Sequence, residues 1–194
     1  MESKKSISNL AEMTTVIQSL LRIYNTPNSS DKIKEVIYKT IHTLLSPDHW
    51  GEKHAVSEKA QKFVKTTKYK KPLDSSSWAD LGHKELKVDD KKGHNGTRGL
   101  ILEHIILRGD IMDLLLKCNP DDKKEIEKII RNTKCAVIHW KEDDELTKNK
   151  KGNKRPNPIQ AYEEAKVKLI YPDGKDISQF IDLDWVEKKI ASLY

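Results

Sequence analysis

The run "TRGLILEHIILRGDIMDLLLKC", Thr97 to Cys118, constrains this chain more than any other stretch. It is the most apolar part of a polar sequence, so any fold must bury it. Yet it contains Arg98, Glu103, His104 and Arg108. An unpartnered buried charge costs several kcal/mol, so these groups must be paired, carried to the surface or used. Read as one core helix, the run places His104 and Arg108 on one side and turns Glu103 about 100° away.

The chain of 194 residues fits one domain and can bury a core without disulfides or metal. Leu10, Met13, Val16, Ile17, Leu20, Leu21 and Tyr24 recur at helical spacing, as do Ile33, Val36, Ile37, Ile41, Leu44 and Leu45. Ser30 or Asp31 is placed to cap the second helix and Pro47 to end it, which predicts a helical hairpin. A third helix is expected over "AVSEKAQKFVKTTKY" and a long loop over 72–96. Asp110 can cap a short helix, "IMDLLLK", and Asn119-Pro120 can open the next one, through Ile126, Ile129 and Ile130. "CAVIHW" reads as a buried strand and 141–155 as a mobile loop, since four acids and six bases there surround only Leu146. Beyond it come a helix "PIQAYEEAK", a strand "VKLIY", a turn "PDGK" and a closing helix. The expected class is α+β. A mainly helical body over 1–133 carries a small α/β C-terminal subdomain over 134–194, which holds the β-sheet.

Net charge is +6, which favours an acidic partner, with nucleic acid the commonest. Lys59, Lys62, Lys65, Lys68, Lys70 and Lys71 fall within thirteen residues that contain no acid, opposite the Val56, Ala60, Phe63 and Val64 stripe. They are the candidate nucleic-acid contacts, RNA or DNA. Trp50, Trp78, Trp140 and Tyr69 are the candidates for base stacking. A solvated lysine face is the plainer reading of the same charges, and a protein partner is the alternative to nucleic acid. Cys118 and Cys135 sit at the edges of apolar runs and build no zinc site. No segment has signal-peptide or membrane-spanning character, so the expectation is a cytoplasmic protein without a membrane partner.

The catalytic candidates are His104, Arg98, Glu103 and Arg108. A metal-independent ribonuclease needs a base for the 2′-hydroxyl proton and a cation for the phosphate, and His with Arg supplies both. The Arg98-x5-His104 spacing resembles the Arg-x4-6-His motif of HEPN-type ribonucleases, helical toxins and defence effectors. Gly99 stands where those proteins usually carry a polar residue. That resemblance implies a base or acid at His104, phosphate ligands at Arg98 and Arg108, and an orienting carboxylate at Glu103. A buried polar network that fixes packing would use the same residues. The stretches "LEHIILR", "AVIHWKEDDEL" and "RPNPIQAYEEAKVKLI" also resemble small uncharacterised bacterial and phage proteins over the last hundred residues, and no activity comes with that resemblance.

Metal chemistry is the weaker expectation. Asp74, Glu85 and Lys87 have the residue types of a PD-(D/E)xK nuclease, but their segment lacks the apolar strand such a site needs. His49, His54, His83 and His94 match no zinc spacing, and "HIILRGD" lacks the partners of an HNH site. No phosphate loop, nucleophile elbow or dinucleotide fingerprint is present. No cofactor is expected. The expected function is a small metal-independent nuclease, RNA favoured, in a defence or toxin setting, and the alternative is a non-catalytic nucleic-acid- or protein-binding accessory or inhibitory module.

Overall fold

The computed structural model describes residues 3–45, 54–70, 73, 99–148 and 155–194. Arg98, Lys71, Asp74, Glu85, Lys87, His49, His83, His94, Trp50, Trp78, Pro47 and nearly all of the loop 72–96 lie outside them. The fold is α+β, mainly helical around one small sheet.

The N-terminal hairpin follows its apolar periodicity. Helix α1 (Ser3–Tyr24) buries Leu10, Met13, Ile17 and Leu21, and α2 (Asp31–Leu44) buries Ile37 and Ile41. Ser30 caps α2 by accepting from the Ile33 N–H, which satisfies one orphan donor of the first turn.

Four strands form the sheet: β1 (Ala55–Ser57), β2 (Leu100–His104), β3 (Cys135–His139) and β4 (Leu169–Ile170), in the order β2-β3-β1-β4. β1 runs parallel to β3, while β2 and β4 pair antiparallel at the two edges. β3 is buried along its whole length, as its β-branched run requires. Two of the four strands, β1 and β2, precede residue 134.

The apolar run and the third helix differ from the sequence reading. The apolar run is not one helix. Leu100–His104 is a strand, and helix α4 (Arg108–Lys117) begins only after a turn. With apolar side chains at nearly every position, "LILEHII" carries no period to separate helix from strand, and pairing with β3 decides it. Asp110 lies in the first turn of α4, not at its cap. The third helix is also shorter than expected, because Ala55–Ser57 joins the sheet and α3 is Glu58–Lys65.

Helix α5 (Lys123–Arg131) is capped by Asp122 and not by Asn119, whose side chain instead accepts from the Asp121 N–H in the turn before it. After β3 comes a helix where a mobile loop was expected: α6 (Trp140–Lys148). Its acidic first turn and basic last turn suit the helix dipole, and Leu146 is almost fully buried. Helices α7 (Pro158–Glu164), α8 (Ile177–Phe180) and α9 (Leu183–Ala191) complete the described α-helices, capped by Asn157, Asp176 and Asp182.

Side-chain alternation splits the core. Leu100, Val137 and Val56 pack with Ala60 and Tyr69 beneath α3. Ala136, Ile138 and Ala55 join a larger cluster that reaches from Leu10 to Ile190.

Candidate functional site

The sheet register separates two histidines. Leu100 pairs with His139 at one end of β2, and His104 pairs with Cys135 at the other. Four residue steps of about 3.3 Å put roughly 13 Å between the two ends. Because β1 is parallel to β3, Ser57 and the start of α3 emerge at the His139 end.

At that end, Ser57 Oγ accepts from the Ala60 N–H at 3.0 Å, capping α3, and donates to Glu142 Oε2 at 2.5 Å. The same Glu142 oxygen accepts from the His139 N–H at 2.8 Å. One buried carboxylate therefore ties β1, β3 and α6 together. His139 Nδ1 accepts from the Lys141 N–H at 3.2 Å, which leaves its proton on Nε2. Burial, with Lys59 and then Lys141 nearby, pushes the imidazole down to about 4. His139 is thus a neutral hydrogen-bond donor near pH 7. Phe63 meets it edge-on at 5.2 Å, Trp140 lies tilted against it at 5.8 Å, and the Lys141 ammonium sits 5.3 Å over the indole.

Lys59, Lys62, Lys65, Lys68 and Lys70 are all exposed. Among the described residues none of them is held in an ion pair, since Lys168 takes the nearby Glu58. The helix keeps Ala60 inward and turns its cations out.

His104, by contrast, is buried beside α2 and α4. Burial first, then Arg108, pushes it down to about 4, and a hydrogen bond to the Leu45 backbone opposes this. The other charges it feels are His42 and Arg155, and no lysine of α3 is among them. Its Nε2 has no partner among the described residues. Arg108 Nη1 lies 3.3 and 3.4 Å from the two ring nitrogens of His42. Near-equal distances place the guanidinium on the ring face, where a bond in the ring plane would favour one nitrogen. Arg108 is also the first charge that His104 feels, across the turn from β2 to α4 and not along one helix face.

Glu103 points to the opposite face of β2 because successive strand residues alternate. Its partner is Arg155, at the end of the run 141–155 that the sequence alone marks as a mobile loop. Arg155 is fully buried, ion-paired through Nη2 to Glu103, and donates from Nη1 to the His104 carbonyl at 3.2 Å. Its guanidinium carbon lies 5.8 Å from the Tyr162 ring. Nearby, Tyr194 Oη donates to Asp110 Oδ1 at 2.6 Å, and burial raises the carboxyls of Asp110 and Asp143. Glu103 of β2, Asp143 of α6, Arg155 and Tyr162 of α7 therefore meet here. The available signal for Arg155 was indirect: Glu103 needed a cation, and Arg forms buried pairs better than Lys.

No helix among the described residues is long and apolar enough to cross a membrane. The chain matches no family model, no curated protein and no solved structure.

Proposed function

We propose that this protein is a non-catalytic nucleic-acid-binding module that holds the phosphate backbone with the lysines of α3 and the segment after it. The observation that carries this reading is the exposure of Lys59, Lys62, Lys65, Lys68 and Lys70, none of them held in an ion pair among the described residues, since the nearby Glu58 and Glu145 are taken by Lys168 and Lys148. Cations already bound to carboxylates would have to break those pairs to take a phosphate. These need not, and the overall charge of +6 acts in the same direction.

The binding role is favoured over catalysis by the surroundings of His104. A general base must reach its substrate and works best with a pKa near the operating pH. His104 is buried, holds a proton only near pH 4, and feels none of the lysines that would bring substrate. The second reading is the metal-independent nuclease. It is favoured by one feature: His104 keeps an uncommitted Nε2 close to Arg108 and His42.

Incubation of the purified protein with end-labelled RNA and DNA, with and without EDTA, separates the two. The binding module retards the labels intact. Cleavage that survives EDTA and disappears in His104→Gln would instead establish the nuclease.

A further inference from the structure

The group at the end of β3 adds something to the lysines beside it that phosphate binding alone does not need. Phe63, His139 and Trp140 form a contiguous aromatic set next to Lys59, at the start of the basic helix. Trp140 and Phe63 are half-buried, and Lys59 and Lys141 are exposed. We infer that this set is a subsite for an unpaired nucleobase, so that the polymer bound along α3 is single-stranded. The inference rests on the nucleic-acid reading above and narrows it.

Three features fit such a ligand together. The Lys141 ammonium lies over the indole, where it is held by the ring's quadrupole. A base stacking on the indole takes that place, and the displaced ammonium gains the phosphate of the same nucleotide. The imidazole of His139 is fixed by its Nδ1 contact to the Lys141 amide, so Nε2–H is the donor left for a base edge or a phosphate oxygen. Lys59, Lys62 and Lys65 recur every three residues, about 4.5 Å of helix rise apart, and carry the backbone away from the subsite. A duplex offers its phosphates to the same lysines. Its bases are already stacked on one another, so the aromatic set adds nothing to duplex affinity.

The test compares short labelled oligo(dT), oligo(U) and a duplex at one salt concentration. The proteins are the wild type, Trp140→Leu and Trp140→Phe. The wild type is expected to bind both single strands at least tenfold more tightly than duplex. Trp140→Leu, which keeps an apolar side chain without a stacking face, should lose about tenfold on single strands and nothing on duplex, with Trp140→Phe regaining most of it. Trp140→Phe also reports without the Leu variant. Single strands should quench the wild-type tryptophan emission, and the Phe variant should lose that quenching. Equal affinity for duplex and single strands, or a folded Trp140→Leu unchanged on single strands, overturns the subsite and leaves the phosphate-binding reading standing. A wild type that binds none of the three probes overturns both. The RNA and DNA arms identify which single strand the subsite prefers.

Discussion

Arg155 and Glu103, 52 residues apart in sequence, hold each other beneath the edge of β2, and the arginine is the more deeply buried partner. The guanidinium also donates to the carbonyl of His104, so it fixes both the side chain and the backbone at the end of that strand. Removing the deeply buried partner of an ion pair costs about 3–5 kcal/mol. Arg155→Ala should therefore cost about that much in denaturant unfolding. Glu103→Gln keeps an acceptor on a partly exposed side chain and should cost about 1–3 kcal/mol. An Arg155→Ala loss below about 1 kcal/mol would show that the pair does not hold the strand end.

Acid should destabilise the fold in a defined window. His104 titrates near 6.5 in the unfolded chain and near about 4 in the native state, so between those values the unfolded state binds more protons. Stability is full above about pH 6.5 and falls as pH drops toward 4. At about 1.4 kcal/mol per pKa unit, the loss from His104 is on the order of 3 kcal/mol. His139, lowered to the same value, adds a loss of the same sign. Asp110 and Asp143 act oppositely, because their raised native pKa values make protonation favour the folded state as pH falls through them toward the ordinary carboxylate range. Thermal midpoints between pH 7 and 4 check this. His104→Gln should flatten the profile, and an unchanged slope would contradict the assignment.

The helix that carries the lysines depends on one hydroxyl. Ser57 caps α3 and supplies a proton to the buried Glu142 carboxylate. Ser57→Ala removes both contacts and should cost about 1–3 kcal/mol, at the upper end of a cap loss because Glu142 is left with one donor fewer. Ser57→Thr keeps the hydroxyl and should recover part of it. Equilibrium unfolding of both variants measures the difference.

Cys118 should be a slow thiol. It is half-buried, donates from Sγ to the Leu115 carbonyl, and burial with Glu125 nearby pushes it up to about 11. The thiolate is the reactive species, so labelling by a thiol reagent at pH 8 should be much slower than for a free cysteine. Rapid stoichiometric labelling of the native protein would contradict this.

What was legible in the sequence follows from how locally each feature is determined. The α1–α2 hairpin was read correctly because Leu10, Met13, Ile17 and Leu21 repeat at helical spacing within one segment. β3 was legible because its run is both β-branched and apolar. β2 was not, since only its partner across the sheet distinguishes it from a helix. Helix α6 was missed because its stability comes from two inward residues, Glu142 and Leu146, in an otherwise charged run. The exposure of the α3 lysines was foreseen from their position opposite the apolar stripe. The separation of His104 from those lysines was not, because it depends on the register of β2 against β3. His139 went unnoticed at the end of an apparently ordinary buried strand.

The most direct test of the account is the salt dependence of nucleic-acid binding in the wild type and in a Lys59→Ala, Lys62→Ala, Lys65→Ala triple variant. Each phosphate neutralised contributes about 0.7 to the log–log slope for single strands and about 0.9 for duplex. If these three lysines hold phosphates, the triple variant should bind more weakly and lose roughly two units of slope for a single strand. A folded triple variant with the wild-type affinity and slope would contradict the account and remove α3 from the binding surface.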